Sequence, residues 1–240
     1  MSSHRVVVTG LGAITPIGHS VPAFWDGLLT GKTGGDLIRR WDTSGHKIKL
    51  ACEVKDYDPG NYFDRKESRR YERYVQFALI AAREAMAQSG IAVSDVGAEE
   101  FGAMIGSGIG GIESLEDNMR VMVEKGADRV AATLVPRMIC NMATGQVSII
   151  HGLKGPSTCV VTACASATHS IGDAFKVIQR GQAIAMLAGG AEAGITPLGI
   201  AGFQNMTALS SRNDSPATAS RPFSHDRDGF VMGGRRHHGA

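Results

Sequence analysis

Cys164 is the residue whose setting most suggests chemistry. It stands in Thr162-Ala163-Cys164-Ala165-Ser166, after a β-rich run and ahead of a helix-forming stretch. A thiol where a strand hands over to a helix meets the positive end of the helix dipole, which favours thiolate over thiol. Alanine on both sides leaves room for an electrophilic carbonyl, and backbone N–H groups of the turn can receive the resulting oxyanion. This is the logic of the nucleophile elbow with sulfur in place of oxygen. The competing reading is a small buried hydrophobe, the commoner fate of a lone cysteine. Cys159 lies on the expected strand five residues earlier, points to the opposite face and reads as core.

A second candidate is Gly106-Ser107-Gly108-Ile109-Gly110-Gly111, which satisfies GxGxxG, follows a predicted strand and opens a helix. A dinucleotide site would seat pyrophosphate on that helix N-terminus. It would also need a strand ending in an acid about 20 residues on. Ala127 to Leu134 occupies that region and Asp128 ends no strand, so glycines that permit close packing at a buried turn are the better reading. Gly10-Leu11-Gly12 fails outright, because Thr15 stands where the third glycine belongs.

The elements that must position these residues alternate in type. Arg5 to Val8 reads as a buried strand, and a short helix starts at Ser20-Val21-Pro22. Residues 30–62 read as irregular surface with short strands. Val75, Ala78, Leu79, Ala82 and Met86 share one helical face, with Gly90 as the stop. Phe101 to Ile105 is a strand, Glu113 to Glu124 a helix and Pro136 to Ile150 one further helix. Ser157 to Thr162 is a strand, Ala165 to Arg180 a helix with Ile171, Ala174, Phe175 and Ile178 inward, and Ile184 to Ala188 a strand. The polar stretch Ser210 to Arg227, broken by prolines, is a long loop. Strands alternating with helices predict an α/β fold, a mainly parallel sheet covered by helices, in one domain.

Composition bounds the rest. With 25 basic and 23 acidic side chains the net charge is +2, which gives no bias toward nucleic acid. Apolar residues at 43% support a real core. No apolar run reaches membrane-spanning length and no secretory leader opens the chain. Four cysteines without a CxxC pair suggest neither a disulfide framework nor a zinc site, and a reducing cytoplasm is expected.

Five stretches then carry a resemblance: Val7-Val8-Thr9-Gly10-Leu11-Gly12, Gly106 to Gly111, Thr162 to Ser166, Gly189-Gly190-Ala191-Glu192 and Arg227-Asp228-Gly229-Phe230. Their order is similar to that of the β-ketoacyl-acyl carrier protein synthases, in particular the elongating type II enzymes. The resemblance implies a thiolase-like fold of two similar α/β halves, of which residues 1–233 are the N-terminal half and the C-terminal half is absent. It implies a cytoplasmic homodimer and an acyltransferase of fatty acid or polyketide synthesis. Cys164 would take an acyl chain from the phosphopantetheine of acyl carrier protein. Malonyl-carrier would then lose carbon dioxide, and its carbanion would attack the acyl-cysteine. No metal or separate cofactor is expected. By position Ile109, Leu134 and Phe203 would line the acyl pocket, although apolar residues at packed turns serve equally as core. Lys66, Arg69 and Arg70 share a helical face and would dock the acidic carrier, against the plainer reading of a solvated face partly neutralised by Glu67 and Glu72. His169 reads as structural, and His151 and His225 offer no matching motif.

The pattern departs from the family after Gly233. Residues 234–240 include Arg235-Arg236-His237-His238, where the family continues with a glycine-rich turn, an apolar final strand of the first half, and a second half bearing two histidines and a lysine. Charged side chains are costly at such a buried turn, so 234–240 reads as a frameshifted tail. The alternative function is then an inactive truncated fragment or binding partner. The expected outcome of sequencing downstream of codon 233 is a second frame that continues into the histidine-bearing half; early stops in that frame would contradict it.

Overall fold

Helix α1 (Val21–Leu29) begins where the Ser20 hydroxyl accepts the Ala23 N–H at 3.3 Å, with Pro22 in its first turn. This computed structural model describes residues 4–235, which form two compact units. One is Ala13–Asn61 with the segment from Ala193; the other is Tyr62–Glu192 with the segment up to Gly12.

In the unit containing α1, β1 (Asp36–Leu37) pairs antiparallel with β2 (Leu50–Val54). The short strands expected in this region are present, but β2 is core rather than surface, since Leu50, Ala51 and Val54 are buried.

The other unit opens with α2 (Arg65–Arg70), held by a capping box between Asp64 and Glu67. Helix α3 (Arg73–Ser89) runs to Gly90 (φ 65°), the expected stop, and α4 (Val93–Val96) is a single turn. Strand β3 (Phe101–Gly106) is buried throughout. Then come α5 (Ile112–Lys125), α6 (Leu134–Met138), α7 (Met142–His151), β4 (Ser157–Thr158), α8 (Ser166–Gln179) and β5 (Ala185–Gly190). The sheet order is β4-β3-β5 and every pairing is parallel, with Phe101 opposite Ala185 and Ala103 opposite Ser157. Helices α7 and α8 pack on β3, which explains its unbroken apolar run.

Back in the first unit, α9 (Pro197–Asn205) is capped by Thr196, and β6 (Gly233–Arg235) adds parallel to β2. Its core joins Ile38, Ile48, Leu50, Ile195, Ile200, Leu209 and Met232. The loop 210–228 is organised by charge. The Ser210 hydroxyl donates to Asp228 at 2.7 Å and Arg212 pairs with Asp226 at 3.1 Å. The Ser210 bond is the largest cause holding the Asp228 carboxyl down to about 2.

Several expectations need correction. Arg5 to Val8 forms no ladder among the described residues, and Val8 is 78% exposed. A strand needs a neighbouring edge as well as a β-rich sequence. The helix expected over Pro136 to Ile150 is two helices. Ile139 is extended (ψ 136°), its carbonyl accepts the Tyr74 hydroxyl, and the Met138 carbonyl accepts the Gly111 N–H at 3.0 Å. Those outside donors satisfy carbonyls that a helix end leaves open. The strand expected to reach Thr162 stops at Thr158, whose carbonyl accepts the Thr144 hydroxyl at 3.1 Å. On α8 the buried stripe is Ser166, Ser170 and Ala174, while Ile171 is 54% and Phe175 39% exposed. The sheet admits only small residues at that distance. At the start of the expected tail, Gly234 and Arg235 lie in β6, paired with β2. The remainder of the expected tail, 236–240, lies outside the described residues.

One buried carboxyl makes stability depend on pH. Glu72 accepts the Tyr74 N–H at 3.1 Å at the start of α3 and is almost fully buried. Burial first, and the Glu113 carboxylate second, push it up from 4.5 to about 7, with Arg73 and Arg137 opposing. Because the folded value lies above the unfolded one, its contribution favours folding in the protonated form. That contribution is present below about 4.5 and lost as pH rises to about 7. Glu72→Gln keeps an acceptor oxygen without the charge. Its melting temperature should match the parent at pH 5 and exceed it by several degrees at pH 8. A gap that does not widen with pH would contradict the assignment.

Candidate active site

The carboxyl ends of the parallel strands β3, β4 and β5 meet at one side of their sheet, the usual place for a site in an open α/β layer. The glycine loop leaves β3, Glu192 follows β5, and the cysteine turn links β4 to α8.

Two close approaches set the start of α8. A Cβ on Gly106 would lie 2.7 Å from the Ser166 carbonyl oxygen, and one on Gly190 would lie 2.6 Å from the Ala167 Cβ. Larger residues would push α8 off the strand ends. Ahead of the helix, Ala163 takes a left-handed conformation (φ 51°), uncommon for a residue with a Cβ. Ser166, buried, holds this turn from both sides: its hydroxyl accepts the Thr162 N–H at 2.9 Å and donates to the Ala163 carbonyl at 2.7 Å. His169 Nδ1 lies 2.8 Å from the Thr162 hydroxyl, so the structural reading of His169 fits a brace for the same turn.

Cys164 occupies a short 3-10 turn directly before α8 and is exposed. The other three cysteines are partly buried, and burial is the largest cause pushing the thiols of Cys52, Cys140 and Cys159 up. Cys159 is in no strand; its thiol donates to the Cys140 carbonyl at 3.4 Å.

The GxGxxG loop already holds an anion. Glu192 Oε2 accepts the N–H of Gly108 at 2.6 Å and of Ile109 at 3.1 Å, and the Ser107 hydroxyl donates to Oε1 at 3.3 Å. A protein carboxylate stands where a phosphate would have to sit, which agrees with setting the dinucleotide reading aside. The sequence signal for this contact is an acid two residues beyond a strand that ends in Gly189-Gly190.

Ile109 presents an exposed side chain from this loop, and Leu134 is half-buried at the start of α6. Phe203 lies in the other unit on α9, edge-on to Phe230 at 5.6 Å between ring centroids. On α2, an open concavity of about 420 Å³ is lined by Arg65, Lys66 and Arg69. Arg70 is exposed but does not line it, and Arg73 is buried in an ion pair with Glu113 at 3.2 Å. Arg65, not among the residues expected to dock the carrier, joins Arg69 four residues on. Among the described residues no group of three or more His, Cys, Asp or Glu could hold a metal ion, and no helix is long and apolar enough to cross a membrane.

The family model for the β-ketoacyl synthase N-terminal domain matches residues 3–234. The chain belongs to that family. A 3-oxoacyl-[acyl-carrier-protein] synthase 2 of Synechocystis is 48% identical over 233 residues, covering 97% of this chain and 56% of that protein. A synthase 2 of Staphylococcus aureus strain N315 is 49% identical over 229 residues, 95% of this chain and 55% of its own length. Among solved structures, a ketosynthase bound to the hexaketide, in complex with its type II PKS acyl-carrier protein, aligns with TM-score 0.83 at 33% identity. That alignment covers 96% of this chain and 56% of that one. A β-ketoacyl synthase from Burkholderia phymatum aligns with TM-score 0.81 at 30% identity, over 95% of this chain and 56% of its own. The thiolase-like ketosynthase fold expected from the sequence is thus the fold found, and the chain spans about half the length of these relatives.

On exposure and burial together, iodoacetamide at neutral pH should modify Cys164 of the folded protein several-fold faster than Cys52, Cys140 or Cys159. Peptide mapping that shows equal or slower labelling at Cys164 would remove it as the candidate nucleophile.

Proposed function

We propose that this ketosynthase-family chain accepts an acyl group on Cys164 as the first half of a decarboxylative condensation in fatty acid or polyketide elongation. The observation that carries the reading is the exposed thiol on a turn braced by Ser166 at the carboxyl ends of β3 and β4. The Cys164 thiolate attacks the carbonyl carbon of an acyl-phosphopantetheine thioester, and the tetrahedral intermediate expels the pantetheine thiol to leave acyl-cysteine. Within the turn, the N–H of Ala165 bonds Thr162 and that of Ser166 bonds Ala163, so the oxyanion falls to the Cys164 N–H. Malonyl-carrier then loses carbon dioxide and its carbanion displaces the cysteine, giving a chain two carbons longer. The family resemblance assigns decarboxylation to two histidines and a lysine of a second half, so residues 1–233 by themselves would stop at acyl-cysteine. The same resemblance supports a cytoplasmic homodimer, with Ile109 and Leu134 along the acyl chain.

Acyl carrier protein is the proposed donor. Its acidic surface suits the basic groups of α2, where Arg65, Lys66 and Arg69 converge and Arg70 stands exposed beside them. Incubation with an acyl-carrier should add the acyl mass to the Cys164 peptide, and Cys164→Ala should abolish it. Reversing Lys66, Arg69 and Arg70 to Glu should slow acylation from the carrier about tenfold or more at low salt, with the loss shrinking as salt rises. Acyl transfer without Cys164 would sink the reading, and an unaltered rate in the triple reversal would remove the docking surface alone.

A further inference from the structure

Glu192 is a charged side chain that binds backbone in the loop beside the cysteine turn, and the proposed chemistry gives it no role. Its Oε2 accepts two consecutive backbone N–H groups, at 2.6 Å from Gly108 and 3.1 Å from Ile109, while Oε1 accepts the Ser107 hydroxyl at 3.3 Å. The Ser107 oxygen in turn accepts the Gly110 N–H at 3.1 Å, and Ser107 is buried. One carboxylate and one hydroxyl therefore engage the loop from Ser107 through Gly110. Charge-assisted bonds of this kind are shorter and about twice as strong as neutral ones.

The clasped loop abuts the turn that carries the thiol. A Cβ on Gly108 would lie 3.0 Å from Glu192 Oε2 and 3.4 Å from the Cα of Ala163, the left-handed residue before Cys164. The loop also presents Ile109, whose side chain is 39% exposed while its backbone N–H is tied to the carboxylate. An exposed apolar side chain on a backbone fixed at that residue is a rigid wall. Without the carboxylate, Gly108 and Ile109 lose their acceptor and a glycine-rich segment regains its freedom.

We infer that Glu192 is a positioning residue that sets acyl-chain selectivity by fixing Ile109 against the cysteine turn. This rests on the reading of Cys164 as acyl acceptor. A long acyl chain buries apolar surface against Ile109 and gains from a fixed wall, whereas an acetyl group is too short to use it. Loss of the clasp therefore lowers the rate for long chains and leaves short ones alone. A residue that only supported the fold would lower both together.

The test is acylation of Cys164 from acetyl and dodecanoyl thioesters in the parent chain, Glu192→Gln and Glu192→Ala, with amide exchange at Gly108 and Ile109. The amide oxygen of Gln can still accept both N–H groups, so Glu192→Gln should keep the parental ratio of long- to short-chain rates within about twofold. Glu192→Ala should lower that ratio about tenfold, the worth of about one lost charge-assisted hydrogen bond, with acetyl transfer retained and both amides exchanging faster. An equal fall for both chains, or a parental ratio in Glu192→Ala, overturns the inference. If the parent forms no acyl-enzyme with either thioester, the function reading falls, and unchanged exchange at Gly108 and Ile109 in Glu192→Ala would then overturn the clasp as well.

Discussion

The carboxyl ends of β3 and β5 lie against the first turn of α8 at a distance that excludes a methyl group. Gly106 faces the Ser166 carbonyl and Gly190 faces Ala167, each with no room for a Cβ. Gly106 and Gly190 also stand opposite each other in the parallel ladder, so one contact pins both strands to one helix. Interiors this tightly packed transmit small changes in volume as movement rather than absorbing them. The position of the helix start, and of the thiol just ahead of it, follows from that contact.

The rest of the site is arranged around it. Because α8 begins so close to the sheet, its buried face is serine and alanine, and Ile171 and Phe175 point outward. Ser166 serves that packing and also braces the turn through two hydrogen bonds, leaving Ala163 in a left-handed conformation that a lone turn would rarely hold. The loop after β3 and the acid after β5 start from the same pinned strand ends, which brings the Glu192 carboxylate to the N–H groups of Gly108 and Ile109. Backbone N–H groups that might suit a phosphate are thereby satisfied inside the chain.

Much of this was legible before any coordinates, and for physical reasons. Local signals gave α1, α3 and α5, since caps, glycine stops and a helical apolar period are written in neighbouring residues. The candidate nucleophile was legible from Thr162 to Ser166, where a small-flanked cysteine stands just ahead of a helix start. What stayed hidden depends on distant partners. The break between α6 and α7 is made by the Tyr74 hydroxyl and the Gly111 N–H, neither near it in sequence. Arg5 to Val8 has strand composition without a pairing edge among the described residues. Ile171 and Phe175 look like a buried stripe until the narrow gap beside β5 is known. The Glu192 clasp joins residues more than eighty positions apart, beyond any reading of spacing.

The most direct measurement is the alkylation rate of Cys164 in Gly190→Ala and in the double variant Gly190→Ala/Ala167→Gly, with folding followed by circular dichroism. The added methyl meets the Ala167 Cβ at 2.6 Å, so the single variant should stay folded while the rate at Cys164 departs several-fold from the parent. Removing the Ala167 methyl should bring it most of the way back, because the two changes act on one contact. A folded Gly190→Ala protein whose Cys164 reacts at the parental rate would show that the approach of α8 to the strand ends does not position the thiol.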